Sequence, residues 1–253
     1  MFNKRYLKLY TEGEYSTVWK ELVSLGSATR NSYVYQEAIL VCQELMHRAK
    51  SNCDAIVARL KSIEYQFETS YTKPRTEPDS STLKHLADFE QSVGLLPLSL
   101  RKWYEIVGGI CLMGSWFNWN TYLDDSIQVR RSHLGIPTHI LYVDPLVVSS
   151  FEDTLMEQGY DIEDDMTLYK PTYLSIAPDY YHKVGVSGGG TINFLVPDHS
   201  IDALVKDEKR EQFFVDHLKT AFQWGGFPGF ADVPEELRPT EMLNYLREGL
   251  LPI

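Results

Sequence analysis

The chain has 253 residues, of which 43% are hydrophobic and 13% aromatic, with a formal net charge of −11. That supplies enough apolar side chain for a substantial core, while the acidic balance opposes binding to nucleic-acid phosphates. No apolar run approaches the length of a membrane span, and the opening MFNKRYLKLY lacks the apolar segment and cleavage motif of a secretory leader, so a cytoplasmic protein is expected.

The charge is unevenly placed. Residues 1–75 hold eleven Lys and Arg against eight Asp and Glu, a balance of +3, and residues 76–253 hold thirteen against twenty-seven, a balance of −14. Residues 1–70 read as a helical segment. Val18, Trp19, Leu22 and Leu25 share one face of Tyr15–Leu25, which Gly26 closes. Ser32–Ala49 repeats the pattern with Tyr35, Ala38, Ile39, Cys42, Leu45 and Met46, and Asn52 is expected to cap a further helix carrying Ile56, Leu60 and Ile63. Cys42, Cys53 and Cys111 form no Cys-x-x-Cys pair and sit among apolar neighbours, so buried free thiols are expected. Thr69–Ser81 is polar and carries two prolines; a linker is placed at 71–81, ahead of a domain over 82–253.

Leu83–Gly114 is the most informative stretch. Ser80, Ser81 and Thr82 offer N-caps to a helix whose stripe is Leu83, Leu86, Phe89 and Val93, with Glu90 beside it in reach of a neighbouring turn. Gly94 suits a left-handed cap and Pro97 a first helical turn. Leu100, Trp103, Tyr104 and Val107 face one way on the next helix, Gly108-Gly109 stops it, and Ile110–Met113 reads as a buried strand. Phe89-Glu90, Leu96-Pro97, Trp103-Tyr104 and Gly108-Gly109, in that order, resemble the SUKH superfamily, which includes bacterial immunity proteins and a fungal regulator of cell-wall assembly. The resemblance covers this stretch and loosens after it. It implies an α+β fold with a twisted sheet flanked by helices, and non-enzymatic protein binding.

Beyond it, SWFNWNTYLDD sets Trp116, Phe117, Trp119 and Tyr122 beside Asp124 and Asp125, a composition that suits contact with a basic partner as well as it suits core. His139–Val148 reads as a strand broken by Asp144-Pro145, and Ser150–Gln158 as a helix closed by Gly159. The acids of Tyr160–Asp165 lack the spacing of a calcium loop. Leu174–Ala177 is a strand with a turn at Pro178-Asp179, and Val184–Val186 is expected to form a hairpin with Thr191–Val196 across Ser187, Gly188, Gly189 and Gly190. The Ser-Gly-Gly segment extends the resemblance. Asp179, His182 and Ser187 would be the members of a hydrolytic triad, but no Gly-x-Ser-x-Gly elbow surrounds Ser187. The glycines are followed by strand-type residues, where a phosphate loop would feed a helix. Seven scattered histidines make no metal motif, so neither metal nor cofactor is expected. Glu208–Gln223 reads as one helix with Phe213, Phe214, His217, Leu218 and Phe222 on its apolar side. A last helix is expected from Thr240 to Leu246, with Leu250–Ile253 packing back on the body.

The sequence thus favours an α+β protein-binding module that contacts a basic protein, with Trp116, Trp119, Asp124, Asp125, Tyr180, Tyr181, Ser187, Gly188 and Gly189 as candidate contacts. A bacterial immunity protein neutralising a toxin domain is the first reading; the acidic balance is consistent with a basic nuclease as target, and other toxin classes remain open. An intracellular regulator or scaffold is the second, and a hydrolase using Asp179, His182 and Ser187 the third.

Overall fold

The computed structural model describes residues 5–31, 33–68, 73–116, 144–159, 171–183, 190–206 and 210–253. The chain opens with helices α1 (Arg5–Thr11), α2 (Tyr15–Ser24) and α3 (Val34–Ser62). α3 is continuous where the sequence suggested a break, because Lys50 and Ser51 carry the helix through. Asn52 is not a cap. It lies in mid-helix, where its side-chain N–H donates to the Leu251 carbonyl at 2.8 Å and its oxygen accepts from the Leu251 N–H at 2.7 Å. A buried amide is tolerated there because both its donor and its acceptor are satisfied. The contact ties the C-terminal tail to the helix, and Ile253 is buried, as its apolar character indicated.

Three short antiparallel strands form the first sheet. β2 (Arg75–Thr76) and β5 (Val147–Val148) flank β3 (Gly109–Cys111). A separate pair joins β1 (Gln66–Phe67) to β4 (Gly114–Ser115). The described part of the expected linker therefore contains strand β2 and runs directly into the next helix, which starts at Ser80. Arg75 anchors the strand by donating to the carbonyls of Val107 at 3.1 Å and Gly109 at 2.6 Å and by pairing with Asp54 of α3 at 2.9 Å. This crossing explains Gly108. Its φ is +78°, and a Cβ there would strike the Thr76 carbonyl oxygen and the Pro78 ring.

Between β2 and β3 lie α4 (Ser80–Ser92) and α5 (Leu98–Ile106). The cap of α4 is Asp79, one residue earlier than the Ser-Ser-Thr expected: its carboxylate accepts from the N–H groups of Ser81 at 2.7 Å and Thr82 at 3.1 Å, and Thr82 Oγ1 accepts from the Asp79 N–H. Gly94 has φ +125°, and a Cβ would sit 2.6 Å from Pro197, so both backbone and space demand glycine. After β5, Ser150 caps α6 (Phe151–Glu157) by accepting from the Asp153 N–H at 3.1 Å.

The second sheet is antiparallel in the order β6 (Tyr173–Pro178), β7 (Thr191–Leu195), β8 (Leu204–Lys206), β9 (Glu211–Phe213). The Ser149 N–H donates to the Ile176 carbonyl at 2.7 Å, which links the two sheets. β7 pairs with β6 and β8; residues 184–186, its expected hairpin partner, lie outside the described residues. Pro178-Asp179 leads into a four-residue helix, α7 (Tyr180–Lys183). The long helix expected from Glu208 is shorter. Glu211–Phe213 pairs with β8 as a strand, and the helix proper, α8, runs Phe214–Gln223. α9 (Thr240–Arg247) closes the chain. The fold is α+β with an N-terminal helical region, and the buried side chains from Tyr10 to Ile253 form one cluster. Trp103 and Phe89 are fully buried at its centre, Trp103 edge-on to Phe214 at 5.4 Å and Phe89 edge-on to Phe151 at 5.6 Å. All three cysteines are buried free thiols.

Candidate functional site

Trp119, Asp124, Asp125, Ser187, Gly188, Gly189 and the side chain of Tyr181 lie outside the described residues, as do 139–143 and 160–165. Of the remaining candidates, Trp116 follows β4, half-buried, and its indole N–H donates to the Ile63 carbonyl at the end of α3 at 2.9 Å. That bond gives it a structural task. Tyr180 opens α7 and is partly exposed. Trp116 and Tyr180 thus follow strands of different sheets.

Asp179 and His182 are brought together by the backbone. The buried Asp179 carboxylate accepts from the His182 N–H at 2.9 Å and the Gly190 N–H at 2.7 Å, so it starts α7 and ties Gly190, just before β7, to that start. The His182 ring is exposed, with Nδ1 3.0 Å from the Gly190 carbonyl. The carboxylate therefore binds the backbone N–H groups of His182 and Gly190, whereas in a catalytic triad it would orient the imidazole.

Next to this turn is a buried ion pair that sequence reading passed over. Lys183, 1% exposed, donates to Asp144 at 3.0 Å, and Arg210 reaches the other Asp144 oxygen at 3.8 Å while also pairing with Asp232. Burial works to raise the Asp144 pKa, but the cations around it, Lys183 first with His217 and Arg210, together outweigh that effect and the carboxyl sits below its ordinary range. Asp144 also has φ +25°, unusual for a non-glycine residue. The Asp-Pro dipeptide signalled a turn here; nothing in the sequence paired it with Lys183, thirty-nine residues away.

A second buried carboxylate behaves in the opposite way. Asp202 accepts from the Trp19 indole N–H of α2 at 3.0 Å and from the Val215 N–H at the start of α8 at 3.4 Å, while Ser99 of α5 accepts from the neighbouring Ala203 N–H at 3.1 Å. Burial without a facing cation pushes the Asp202 carboxyl up to about 7. The group ties the N-terminal helices to the sheet.

The outward face of the second sheet was also missed. Ile192, Phe194 and Val196 point into the core, and the alternate positions Thr191, Asn193 and Leu195 point out. The alternation was legible in TINFLV, but its outward residue Leu195 is apolar and 71% exposed.

Among the described residues no group of three His, Cys, Asp or Glu side chains is placed to hold a metal ion, and no helix is long and apolar enough to cross a membrane. Comparison of the chain with protein-family models, curated proteins and solved structures finds no match.

Proposed function

We propose that the chain is a non-enzymatic protein-binding module of the immunity type, which neutralises a basic toxin domain, a nuclease being the target its charge suits best. The observation that carries this reading is the use made of the residues that resemble the SUKH superfamily. Glu90 Oε1 accepts from the Leu96 N–H at 3.1 Å and Oε2 pairs with Arg101, so the Phe-Glu dipeptide of α4 fastens the Leu-Pro turn and the start of α5. Trp103 and Tyr104 fill the core, and Gly108-Gly109 lets β2 and Ser150 approach β3. The motif thus acts as a packed frame that carries a sheet, and an acidic balance of −14 over residues 76–253 favours association with a basic protein.

Co-expression tests the reading. The chain is produced together with basic toxin domains encoded beside it, and growth and complex formation are measured. Restored growth with a one-to-one complex supports the immunity reading. Continued toxicity with no complex, for a chain that is folded and present in excess, contradicts it.

A further inference from the structure

We infer that the outward face of the four-stranded sheet is a docking surface for an amphipathic basic helix of a protein partner, centred on Tyr173, Leu195, Leu204 and Phe213. The inference rests on the protein-binding reading above and gives it a place and a chemistry.

The register makes the surface. Tyr173 lies opposite Leu195, and Leu204 opposite Phe213. Asn193 lies opposite Lys206, which in an antiparallel pair sets Leu195 opposite Leu204. The four therefore form one row across four strands, roughly 14 Å from end to end at about 4.8 Å per strand spacing. Their exposures are 49%, 71%, 45% and 38%. The next row, Ser175, Asn193, Lys206 and Glu211, is polar and is open to water on β7, β8 and β9, while Ser175 at its β6 end is buried. An antiparallel sheet with one face in water ordinarily carries polar residues on that face. Here the opposite face already packs on the core through Leu174, Ile192, Phe194 and Val205, so the exposed row does nothing for the fold.

Charge selects the occupant. On these strands and α8 each described Lys or Arg is already paired, Lys206 with Glu211 at 3.5 Å and Lys219 with Asp216 at 3.1 Å, and Arg210 just before β9 is paired with Asp232. No unmatched cation among these residues repels a basic partner, and the field of the −14 region attracts one. A second copy of the chain is disfavoured by the same field, since stacking two such faces brings two acidic regions together. A helix is the natural shape: a stripe of about 14 Å matches some nine residues at 1.5 Å each, and helix on sheet is a standard packed layer.

The probe is an eighteen-residue helical peptide with leucine on one face and lysine on the other; its counterpart carries glutamate in place of lysine. Both are titrated into the full chain, with binding followed by fluorescence anisotropy and by methyl shifts of Leu195 and Leu204. The lysine peptide should bind at least tenfold more tightly than the glutamate peptide, with shifts centred on the row. Leu195→Ser/Leu204→Ser should lose at least tenfold in affinity. Equal affinity of the double variant, or shifts in the parent that avoid the row, would overturn the inference. So would a dimer in sedimentation equilibrium that the same substitutions dissociate, because the face would then close on itself. The underlying reading separates cleanly. A toxin still neutralised by the double variant sinks the docking face alone, whereas tight peptide binding at the row by a chain that neutralises no toxin supports the face and sinks the immunity reading.

Discussion

Two regions of the molecule treat their large apolar side chains differently. Across α4, α5 and β3, Phe89, Leu100, Trp103, Tyr104 and Ile110 are buried, and even the charged Glu90 is engaged in holding a turn. Across β6–β9, Tyr173, Leu195, Leu204 and Phe213 stand in water while Leu174, Phe194, Val205 and Phe214, each next to one of them in the chain, are buried. The first arrangement lowers the free energy of the chain by itself; the second does so only when something covers it. Substitutions in the two regions should therefore separate stability from binding.

The largest effect belongs to the buried frame. Trp103→Ala removes a fully buried indole and should cost roughly 3–5 kcal/mol, read from urea unfolding. An unchanged midpoint would mean that α5 is not packed as described.

Next comes the buried acid that joins the frame to the N-terminal helices. The folded chain holds the Asp202 proton up to about pH 7, whereas the unfolded chain releases it near the ordinary value of 3.8. Between those values the folded state binds more protons, so stability falls as pH rises through this window, by on the order of a few kcal/mol, and is flat above it. The Asp144 carboxyl, held low by Lys183, titrates below the window and does not mask the trend. Unfolding midpoints of the parent and Asp202→Asn across this range should converge at the acid end and diverge toward neutrality, with the variant the more stable there. Parallel profiles would refute the protonated carboxyl.

A smaller loss is expected from Glu90→Ala, which frees the Leu96 N–H and leaves Arg101 without one of its partners. About 1–2 kcal/mol is the scale of a lost cap with its charge-assisted bond, measured by thermal melting. A loss of similar size in Arg101→Ala but not in Glu90→Ala would assign the turn to another contact.

These particulars also show how much could be read in advance. The helical stripes, the Gly94 and Gly108 turns and the burial of Trp103 follow from local spacing and backbone geometry, which a sequence carries openly. Local spacing splits helix α3 because Asn52 looks like a cap; only the distant Leu251 reveals why an amide sits there. The helical pattern of its neighbours places Phe213 on a helix, yet pairing with Leu204 makes it strand. Lys183 with Asp144, Trp19 with Asp202, and the exposed row all depend on pairings across long separations, to which periodicity is blind. The aromatic and acidic contacts proposed around Trp119 lie outside the described residues, and the described Trp116 bonds back to α3.

The smallest expected change in stability is at the exposed row, and it provides the most direct test of the account. Leu195→Ser/Leu204→Ser should shift unfolding free energy by no more than about 0.5 kcal/mol per site, as for surface positions generally. The measurement is the melting curve and the lysine-peptide affinity of this one double variant beside the parent. Matching melting curves with at least a tenfold loss of affinity are expected if the row is a docking face; matching melting curves with unchanged affinity would refute it.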